Sequence, residues 1–465
     1  MRYSEPMASL SLISSSRCNM KCSFCYLHKN KSFYEYDKYL REVWRNGEYI
    51  EKVKETTDKM GIDPLTITNI TFWGGETTID LDDIIPALPK MFEYFPKIKR
   101  LWFSTNWHTS VDKIVEFYKA WGQAAPDNQY ISMQASIDGP PGPCCEQGHP
   151  GDWDIYIKNY KRLAELWPEA QKEVPKLRSL KLTTNSTIGK ELYYDIFSDE
   201  QKTYNYLKFM LDKEKEIREI VTAGGVLGFK INLPGIALPI EGGADEGFKY
   251  FNSIMNITNV INKYFSDNQW LMNSIPIRNR EAPYTDLLMR DYACGSLLSS
   301  FNILPDGTIT ECHSSFADVL DPYYQELKDS DDHSAVLAAR LNRKIAFNPI
   351  KMTDEEIARM KEIIMNGYRN SIATITALKM GMLQEMALSG QVDNKLINNP
   401  ILQLKTVRVN SMNNTCSREN LIQTHNPYLS SPDQFRRLYN GLAEYILNHP
   451  EKQQKMREGY WNAGK

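Results

Sequence analysis

Three cysteines on one short stretch are the residues of this chain with the most evident chemistry. Cys18, Cys22 and Cys25 stand three and two residues apart, directly after the apolar run Leu10-Ser11-Leu12-Ile13. Three thiolates so close in sequence predict a metal site. A four-iron cluster takes one ligand per iron, so three cysteines would leave one iron open to a non-protein ligand.

Zinc is the competing metal, because His28 follows Cys25 at a spacing that could complete a Cys3His tetrahedron. The loop resembles the three-cysteine motif of the radical S-adenosylmethionine (radical SAM) superfamily, whose members place it after the first strand of a partial β/α barrel. Phe24 matches the aromatic residue that precedes the third cysteine in that motif. By resemblance it packs on the adenine of SAM, and the metal is a [4Fe-4S] cluster.

A pair of glycines and a carboxylate follow the second predicted strand, in Trp73-Gly74-Gly75-Glu76. Two glycines permit a close backbone approach, and the carboxylate can meet a cation. The stretch resembles the Gly-Gly-Glu motif that holds the amino group of SAM's methionine, with Thr77 where the family often has proline. A plain strand-to-helix turn is the alternative interpretation.

Polar turns also follow the third and fourth predicted strands. Ser104-Thr105-Asn106 is similar to the family's Thr-Asn-Gly turn, which makes Asn106 a candidate for contact with SAM or substrate. Ser136-Ile137-Asp138-Gly139-Pro140 resembles the Ser-x-Asp-Gly turn of peptide-modifying radical SAM enzymes. That resemblance implies that Ser136 and Asp138 reach the SAM carboxylate or ribose and the mouth of the active site.

Two vicinal cysteines, Cys144 and Cys145, stand just beyond this turn and have no counterpart in the family pattern. Because S–H bonds are weak, a thiol at the mouth of the site can give a hydrogen atom to a carbon radical. The two residues are therefore catalytic candidates. The alternative is that they are loop cysteines without a role.

A second set of cysteines lies further along the chain. Pro305-Asp306-Gly307 between two short apolar runs predicts a hairpin, which can bring Cys294 and Cys312 together. Their spacing, with a glycine five residues before Cys312, resembles the opening of the SPASM and twitch domains, which carry auxiliary iron–sulfur clusters. The resemblance implies one auxiliary cluster on Cys294, Cys312 and Cys416, with its fourth place filled by another residue, a water or the substrate.

The elements that position these residues alternate between strand and helix, a pattern typical of β/α units around a parallel sheet. Trp153, Tyr160 and Trp167 repeat at helical spacing and predict a core-facing stripe. In such folds functional residues collect after the carboxyl ends of the strands. The predicted strands are Ala8–Ile13, Ile67–Phe72, Arg100–Ser104, Tyr130–Ile137, Ser179–Thr184 and Val226–Leu233.

The predicted fold class is α/β, with two domains because 465 residues exceed one ordinary core. By resemblance, residues 1–285 form a partial (β/α)6 TIM-like barrel of the radical SAM type. Residues 286–465 form a C-terminal α+β auxiliary-cluster domain of SPASM or twitch type with a helical insertion. The insertion contains a helix that starts at a capping box, Thr353 to Glu356.

The composition of the chain limits the classes of binding partner and the cellular location that the sequence indicates. The net charge is −3 without long basic or acidic blocks, so neither nucleic acid nor a membrane surface is indicated. No run reaches the roughly 18 apolar residues that span a bilayer, and the N-terminus lacks the features of a signal peptide. Eight cysteines are sparse for a disulfide scaffold. We therefore expect a cytoplasmic protein.

Together these motifs predict a radical SAM enzyme. By resemblance, it takes an electron from a donor such as flavodoxin or ferredoxin, cleaves SAM to a 5′-deoxyadenosyl radical and abstracts hydrogen from its substrate. The favoured substrate is a peptide or protein side chain, as in maturases. The alternative is a small molecule, as in twitch-domain dehydrogenases. A third class, a non-enzymatic metal-binding protein, requires the SAM-site motifs to be coincidences.

Overall fold

The computed structural model describes the chain in segments, which carry most of the predicted strands and turns. The described residues are 8–22, 35–140, 153–226, 229–231, 235–236, 249, 253, 256–257, 259–268, 300–310 and 346–361.

A nine-stranded sheet is the centre of the described fold. Its strands are β1 Ala8–Ser15, β2 Ile67–Gly74, β3 Arg100–Thr105, β4 Gln129–Ser136, β5 Leu177–Asn185, β7 Phe229–Ile231, β9 Ser300–Ile303, β10 Ile309–Thr310 and β11 Ala346–Phe347. Two further strands, β6 Thr187–Ile188 and β8 Gly235–Ile236, pair with each other in parallel. The spatial order is β11-β10-β9-β1-β2-β3-β4-β5-β7.

Seven neighbouring strands of this sheet, from β9 to β7, run parallel, and β10 and β11 run antiparallel at one end. All six predicted strands are present, and each lies beside its predecessor. The predicted α/β class is therefore confirmed. Because the strands are parallel, the turns after β1 to β5 meet at one edge of the sheet.

Helices connect these parallel strands. Their bounds are α1 Asp37–Arg45, α2 Glu48–Lys59, α3 Leu81–Ile84, α4 Leu88–Tyr94, α5 Val111–Ala124, α6 Trp153–Glu173, α7 Lys190–Phe197 and α8 Glu200–Ala223. The predicted stripe is confirmed, since Trp153, Tyr160 and Trp167 are buried along α6. Among the helices that the structure describes, none has both the length and the apolar character needed to cross a membrane.

Aromatic packing fixes the strands that lead into the candidate site. Phe72, two residues before the end of β2, is fully buried. Its ring meets Trp44 of α1 at a centroid distance of 5.8 Å and Trp121 of α5 at 6.2 Å, both edge-on. Edge-to-face contacts of this kind favour one ring geometry, so the end of β2 is held by one helix from the β1–β2 connection and one from the β3–β4 connection.

The hairpin predicted around Pro305-Asp306-Gly307 is confirmed. β9 and β10 pair antiparallel, with Ile303 opposite Ile309. Gly307 has φ +85°, the left-handed conformation that glycine adopts at low cost. The sequence did not predict that β9 would pair in parallel with β1.

A buried tyrosine joins β1 to this hairpin. The hydroxyl of Tyr49, on α2, accepts a hydrogen bond from the Ile13 N–H at 3.0 Å and donates one to the Ile303 carbonyl at 2.5 Å. The indole of Trp44 donates to the Ile13 carbonyl at 2.8 Å. Both backbone groups of Ile13 are thus bonded to side chains, which fixes β1 shortly before the cysteine loop.

The predicted capping box at Thr353 is also confirmed. The Thr353 N–H donates to the Glu356 carboxylate at 2.7 Å, and the Glu356 N–H donates back to the Thr353 hydroxyl at 3.3 Å. This reciprocal pair satisfies two donors at the start of the helix over residues 354–361.

The chain divides into two compact units: Met1–Leu192 with Asn205–Leu238 and Gly295–Met365, and Tyr193–Tyr204 with Pro239–Cys294 and Asn366–Lys465. The first contains the nine-stranded sheet. In the second, Tyr204 stacks on Phe265 with ring centroids 5.6 Å apart. The predicted domain boundary at residue 285 stays a prediction, because residues 269–299 lie outside the described segments.

Candidate functional site

The candidate site lies at the edge of the sheet where the parallel strands end. Ser15 of β1 is in register with Gly74 of β2, and Ser136 of β4 is in register with Asn185 of β5. The predicted functional turns after β1, β2, β3 and β4 therefore follow strand ends at one edge, as parallel pairing requires.

The cysteine loop leaves β1 at this edge. Cys22 is buried and Cys18 is partly exposed, and the Cys18 sulfur accepts a hydrogen bond from the Met20 N–H at 3.4 Å. The third cysteine, Cys25, and the adjacent Phe24 lie outside the described residues. Within the described segments, no group of three His, Cys, Asp or Glu side chains forms a metal site.

The Gly-Gly pair after β2 touches the backbone of the cysteine loop. The Gly75 N–H donates to the Ser15 carbonyl at 2.8 Å, and the Glu76 N–H donates to the Arg17 carbonyl at 2.6 Å. A Cβ added at Gly74 would lie 2.0 Å from the Ser15 oxygen, and one at Gly75 would lie 2.2 Å from the Arg17 oxygen. The close backbone approach that the sequence predicts is thus an approach to the stretch that leads into Cys18.

Glu76 is a buried carboxylate whose hydrogen-bond partners are uncharged. One oxygen accepts from the Asn106 N–H at 2.6 Å, and the other accepts from the Thr78 N–H at 3.1 Å and its hydroxyl at 2.5 Å. Only 2% of the residue is exposed. Burial raises the pKa of Glu76 above its ordinary value, and these hydrogen bonds oppose the rise. A cationic group that reached this carboxylate would stabilise its charged form.

An ion cluster ties the cysteine loop to α1 and α3. The Arg17 guanidinium pairs with the buried Asp80, which also accepts a hydrogen bond from the Ser15 hydroxyl at 2.6 Å. Arg17 additionally lies 3.3 Å from the Asp37 carboxylate. On the neighbouring turn of α1, Arg41 pairs with Asp83 at 2.6 Å. Because Arg17 directly precedes Cys18, these pairs restrain the position of the loop.

The turn after β3 faces the cysteine loop. The side-chain amide of Asn106 donates to the side-chain oxygen of Asn19 at 2.6 Å, and Asn19 lies between Cys18 and Cys22 in the sequence. The next residue, Trp107, is fully buried with φ +62°. This left-handed conformation is uncommon for a bulky side chain.

Side-chain donors form hydrogen bonds with the backbone carbonyls of the turn after β4. The Asp138 carbonyl accepts hydrogen bonds from the Ser186 hydroxyl at 2.6 Å and from the Tyr206 hydroxyl at 2.7 Å. The Gly139 carbonyl accepts from the Trp153 indole at 3.0 Å. Asp138 is buried and Ser136 is half-buried. The turn therefore has a fixed backbone.

Several predicted site residues lie outside the described segments: Phe24, Cys25, Cys144, Cys145, Cys294, Cys312 and Cys416. The predicted roles of these residues stay predictions. The described candidates, from Cys18 to Asp138, all stand at or just after the carboxyl ends of strands β1 to β4, at the same edge of the sheet.

The supporting residues around the site were not predicted from the sequence. Thr78 and Asn19 bond directly to predicted site residues, and Asp80 pairs with Arg17. Tyr206 comes from a helix and has no sequence signal that links it to Asp138. The proximity of Thr78 to Gly74-Gly75-Glu76 in the chain is a signal that could have been used, because side chains two residues from a turn often bond back to it.

Comparisons with known proteins find similar solved structures, among them two of the same protein. The chain matches no protein-family model and no curated protein sequence. It is similar to the crystal structure of Streptococcus suis SuiB, at 16% identity and a TM-score of 0.36 over 68% of this chain and 67% of that chain. It is also similar to SuiB bound to precursor peptide SuiA, at 16% identity and a TM-score of 0.37 over 71% and 69% of the two chains. Both likenesses are below the level at which structural similarity indicates a shared function.

Proposed function

We propose that this protein is a radical SAM enzyme. The observation that carries the proposal is the direct contact between two motifs. The Gly74-Gly75-Glu76 turn is hydrogen-bonded to the backbone that leads into Cys18, and the carboxylate of Glu76 in the same turn is buried. A metal loop and an amine-binding carboxylate need this proximity if one small molecule is to contact both. A plain strand-to-helix turn needs neither the buried charge nor the close approach.

The residues present fit an iron–sulfur cluster with SAM. Cys18 and Cys22 supply thiols in the described part of the loop, and Cys25 is the proposed third ligand. The glycines leave no room for a side chain against the loop, and the hydrogen-bond partners of Glu76 among the described residues are uncharged. When bound, the cluster and SAM would supply reductive cleavage of SAM and a radical that abstracts hydrogen.

The protein's own residues then have separable tasks. Glu76 would bind the SAM amino group, and Phe24 would pack on the adenine. Ser136 would line the SAM site, and the Asn106 side chain bonds to Asn19 of the cysteine loop. Asp138 would lie beside the substrate, on a turn that Ser186 and Tyr206 keep rigid. A rigid turn matters because a small displacement of the target carbon lowers the rate of abstraction steeply.

The proposed scaffold for this chemistry is a partial β/α barrel. Its support is the strand order from β1 to β7, in which β1, β2, β3, β4, β5 and β7 each lie parallel to their predecessor, and the parallel pairing of the later strand β9 with the other side of β1.

The central test is removal of the three ligands. A Cys18→Ala, Cys22→Ala, Cys25→Ala variant should form no 5′-deoxyadenosine with dithionite and SAM under anaerobic conditions. Met20→Leu is the matched control, because Met20 lies in the same loop and Leu conserves its volume. If the triple variant cleaves SAM at the control's rate, the proposal is wrong.

We further propose an auxiliary cluster on Cys294, Cys312 and Cys416. The triple variant should then retain about four irons per chain and an iron–sulfur absorption band. An iron-free, colourless triple variant would show that these cysteines are ordinary thiols.

The proposed substrate is a peptide or protein, from the likeness of the Ser136-x-Asp138-Gly139 turn to those of peptide-modifying enzymes. An extended peptide could add to a free strand edge beside the site. Candidate peptides should then stimulate SAM cleavage and slow hydrogen exchange in the turn at Asp138. Stimulation by small molecules alone would favour the dehydrogenase alternative.

A further inference from the structure

A closed circuit of three hydrogen bonds connects the cysteine loop to the turn after β3. The His108 N–H donates to the Asn106 side-chain oxygen at 2.9 Å. The Asn106 side-chain NH2 donates to the Asn19 side-chain oxygen at 2.6 Å. The Asn19 NH2 donates to the His108 carbonyl at 3.2 Å, which closes the circuit.

The backbone of His108 fixes the orientation of both amides. Its N–H is a donor only, so the oxygen of Asn106 must face it and the NH2 must face Asn19. Its carbonyl is an acceptor only, so the NH2 of Asn19 must face it and the oxygen must face Asn106. Either amide rotated by half a turn would place two donors or two acceptors together, and the pair therefore has one arrangement.

Trp107, whose backbone is left-handed, lies in the chain between Asn106 and His108, which both take part in the circuit. At φ +62° its backbone turns the chain, so that both His108 backbone groups bond to the amide pair. Such a conformation is unfavourable for a residue with a Cβ. It persists because the Trp107 side chain is fully buried and packs on Tyr160, with ring centroids 5.0 Å apart.

Asn106 also holds the carboxylate of Glu76. Its backbone N–H donates to Glu76 at 2.6 Å, while its side chain donates to Asn19. One residue thus bonds to the proposed amine-binding group and to the stretch between two proposed iron ligands. Asn106 is 6% exposed, and both ends of its side-chain amide are occupied by protein groups.

We propose that Asn106 and Asn19 are a positioning pair that sets the cysteine loop relative to Glu76, so that Asn106 acts on SAM binding through Asn19. This inference rests on the proposed function and deepens it. SAM must meet the open iron and the carboxylate at once, so its affinity depends on the spacing between the loop and Glu76. Loosening the loop should also expose the cluster to solvent.

A double-mutant cycle tests the pair. Wild type, Asn19→Ala, Asn106→Ala and the double variant are reconstituted anaerobically with iron and sulfide. Two quantities are measured: the SAM dissociation constant and the rate of iron release to a ferrous chelator. The Asn106→Ala variant keeps the backbone N–H that bonds to Glu76, so its losses report the side chain alone.

Each single variant should weaken SAM binding and speed iron release by about three- to tenfold, the range expected for one net hydrogen bond. The loss in the double variant should be smaller than the product of the two single losses, because both substitutions remove the bond between Asn106 and Asn19 and only their separate bonds to His108 differ. If the losses multiply in the double variant, Asn106 and Asn19 act independently and the inference is wrong.

Asn106 is buried, so a second variant guards against misfolding. Asn106→Asp keeps the acceptor for the His108 N–H and replaces the donor to Asn19 with an oxygen. It should release iron faster than wild type, and adding Asn19→Ala should change that rate little. A further multiplicative loss would overturn the inference. A wild-type protein that binds neither iron nor SAM would overturn the proposed function together with it.

Discussion

A methyl group at position 75 would collide with the backbone that leads into Cys18. The added Cβ would lie 2.2 Å from the Arg17 carbonyl oxygen, 2.6 Å from its carbon and 3.2 Å from the Cys18 nitrogen. The backbone of Gly75 is outside the left-handed region, so alanine itself meets no conformational penalty. To restore ordinary contact, the loop must move by roughly 1 Å.

This movement has a calculable cost. Overpacking against backbone atoms costs about 1 to 3 kcal/mol. Lengthening the backbone hydrogen bonds from Gly75 to Ser15 and from Glu76 to Arg17 removes part of the stabilisation that each bond contributes, which is about 1 kcal/mol. Gly75→Ala should therefore lower the free energy of unfolding by about 2 to 4 kcal/mol, and it should displace Cys18 from its position relative to Glu76.

Gly224→Ala is the matched control, because its Cβ would lie 2.5 Å from backbone atoms of Ala164 on α6, away from the cysteine loop in the chain. Urea unfolding should show a loss of stability in both variants. After anaerobic reconstitution, Gly224→Ala should bind iron and SAM as wild type does, and Gly75→Ala should bind less of both. Equal iron and SAM binding by the two variants would refute the role assigned to the close backbone contact between Gly75 and the cysteine loop.

Three further predictions concern the stability of the iron-free protein. Burial raises the pKa of Glu76, so the contribution of this side chain to the free energy of unfolding is present below about pH 4.5 and is lost as the pH rises through the raised pKa. In urea unfolding at several pH values, the free energy of unfolding of Glu76→Gln should therefore rise relative to that of wild type above about pH 4.5. A difference between the two proteins that does not change with pH would contradict this. Tyr206→Phe removes one of the hydroxyl groups on the Asp138 carbonyl and should cost about 1 kcal/mol, whereas an unchanged unfolding midpoint would show that the bond contributes nothing. Asp80→Asn should lower the free energy of unfolding by about 1 to 2 kcal/mol, measured by thermal or urea unfolding, because Asp80 is buried but Arg17 remains partly solvated. A larger loss of stability would mean that the charges of the ion cluster interact more strongly than their exposure indicates.

The strands and the functional turns could be predicted because their signals are local. Apolar runs of strand length, glycine pairs and a Pro-Asp-Gly turn each depend on a few adjacent residues. The capping box at Thr353 is another such case. The same locality made the position of Glu76 at the end of β2 predictable, because one strand end leads directly into the turn.

The supporting contacts could not be predicted, because they join residues distant in sequence. Nothing near Tyr206 indicates that its hydroxyl reaches Asp138. The left-handed backbone of Trp107 was also unpredictable, since propensity alone assigns such a conformation to glycine. Tertiary packing of its buried ring outweighs that local preference.

The pairing of β9 with β1 has a consequence for synthesis of the chain on the ribosome. One side of β1 meets β2 early, but its other partner emerges roughly 290 residues later, which at typical translation rates takes about 15 to 60 s. During that interval the strand that leads into the cysteine loop has one unpaired edge, a template for association with other chains. A fragment cut at the predicted boundary, residue 285, would keep that edge open permanently, so expression of this fragment alone is a route to aggregation, and the hairpin around Gly307 belongs in any shortened version.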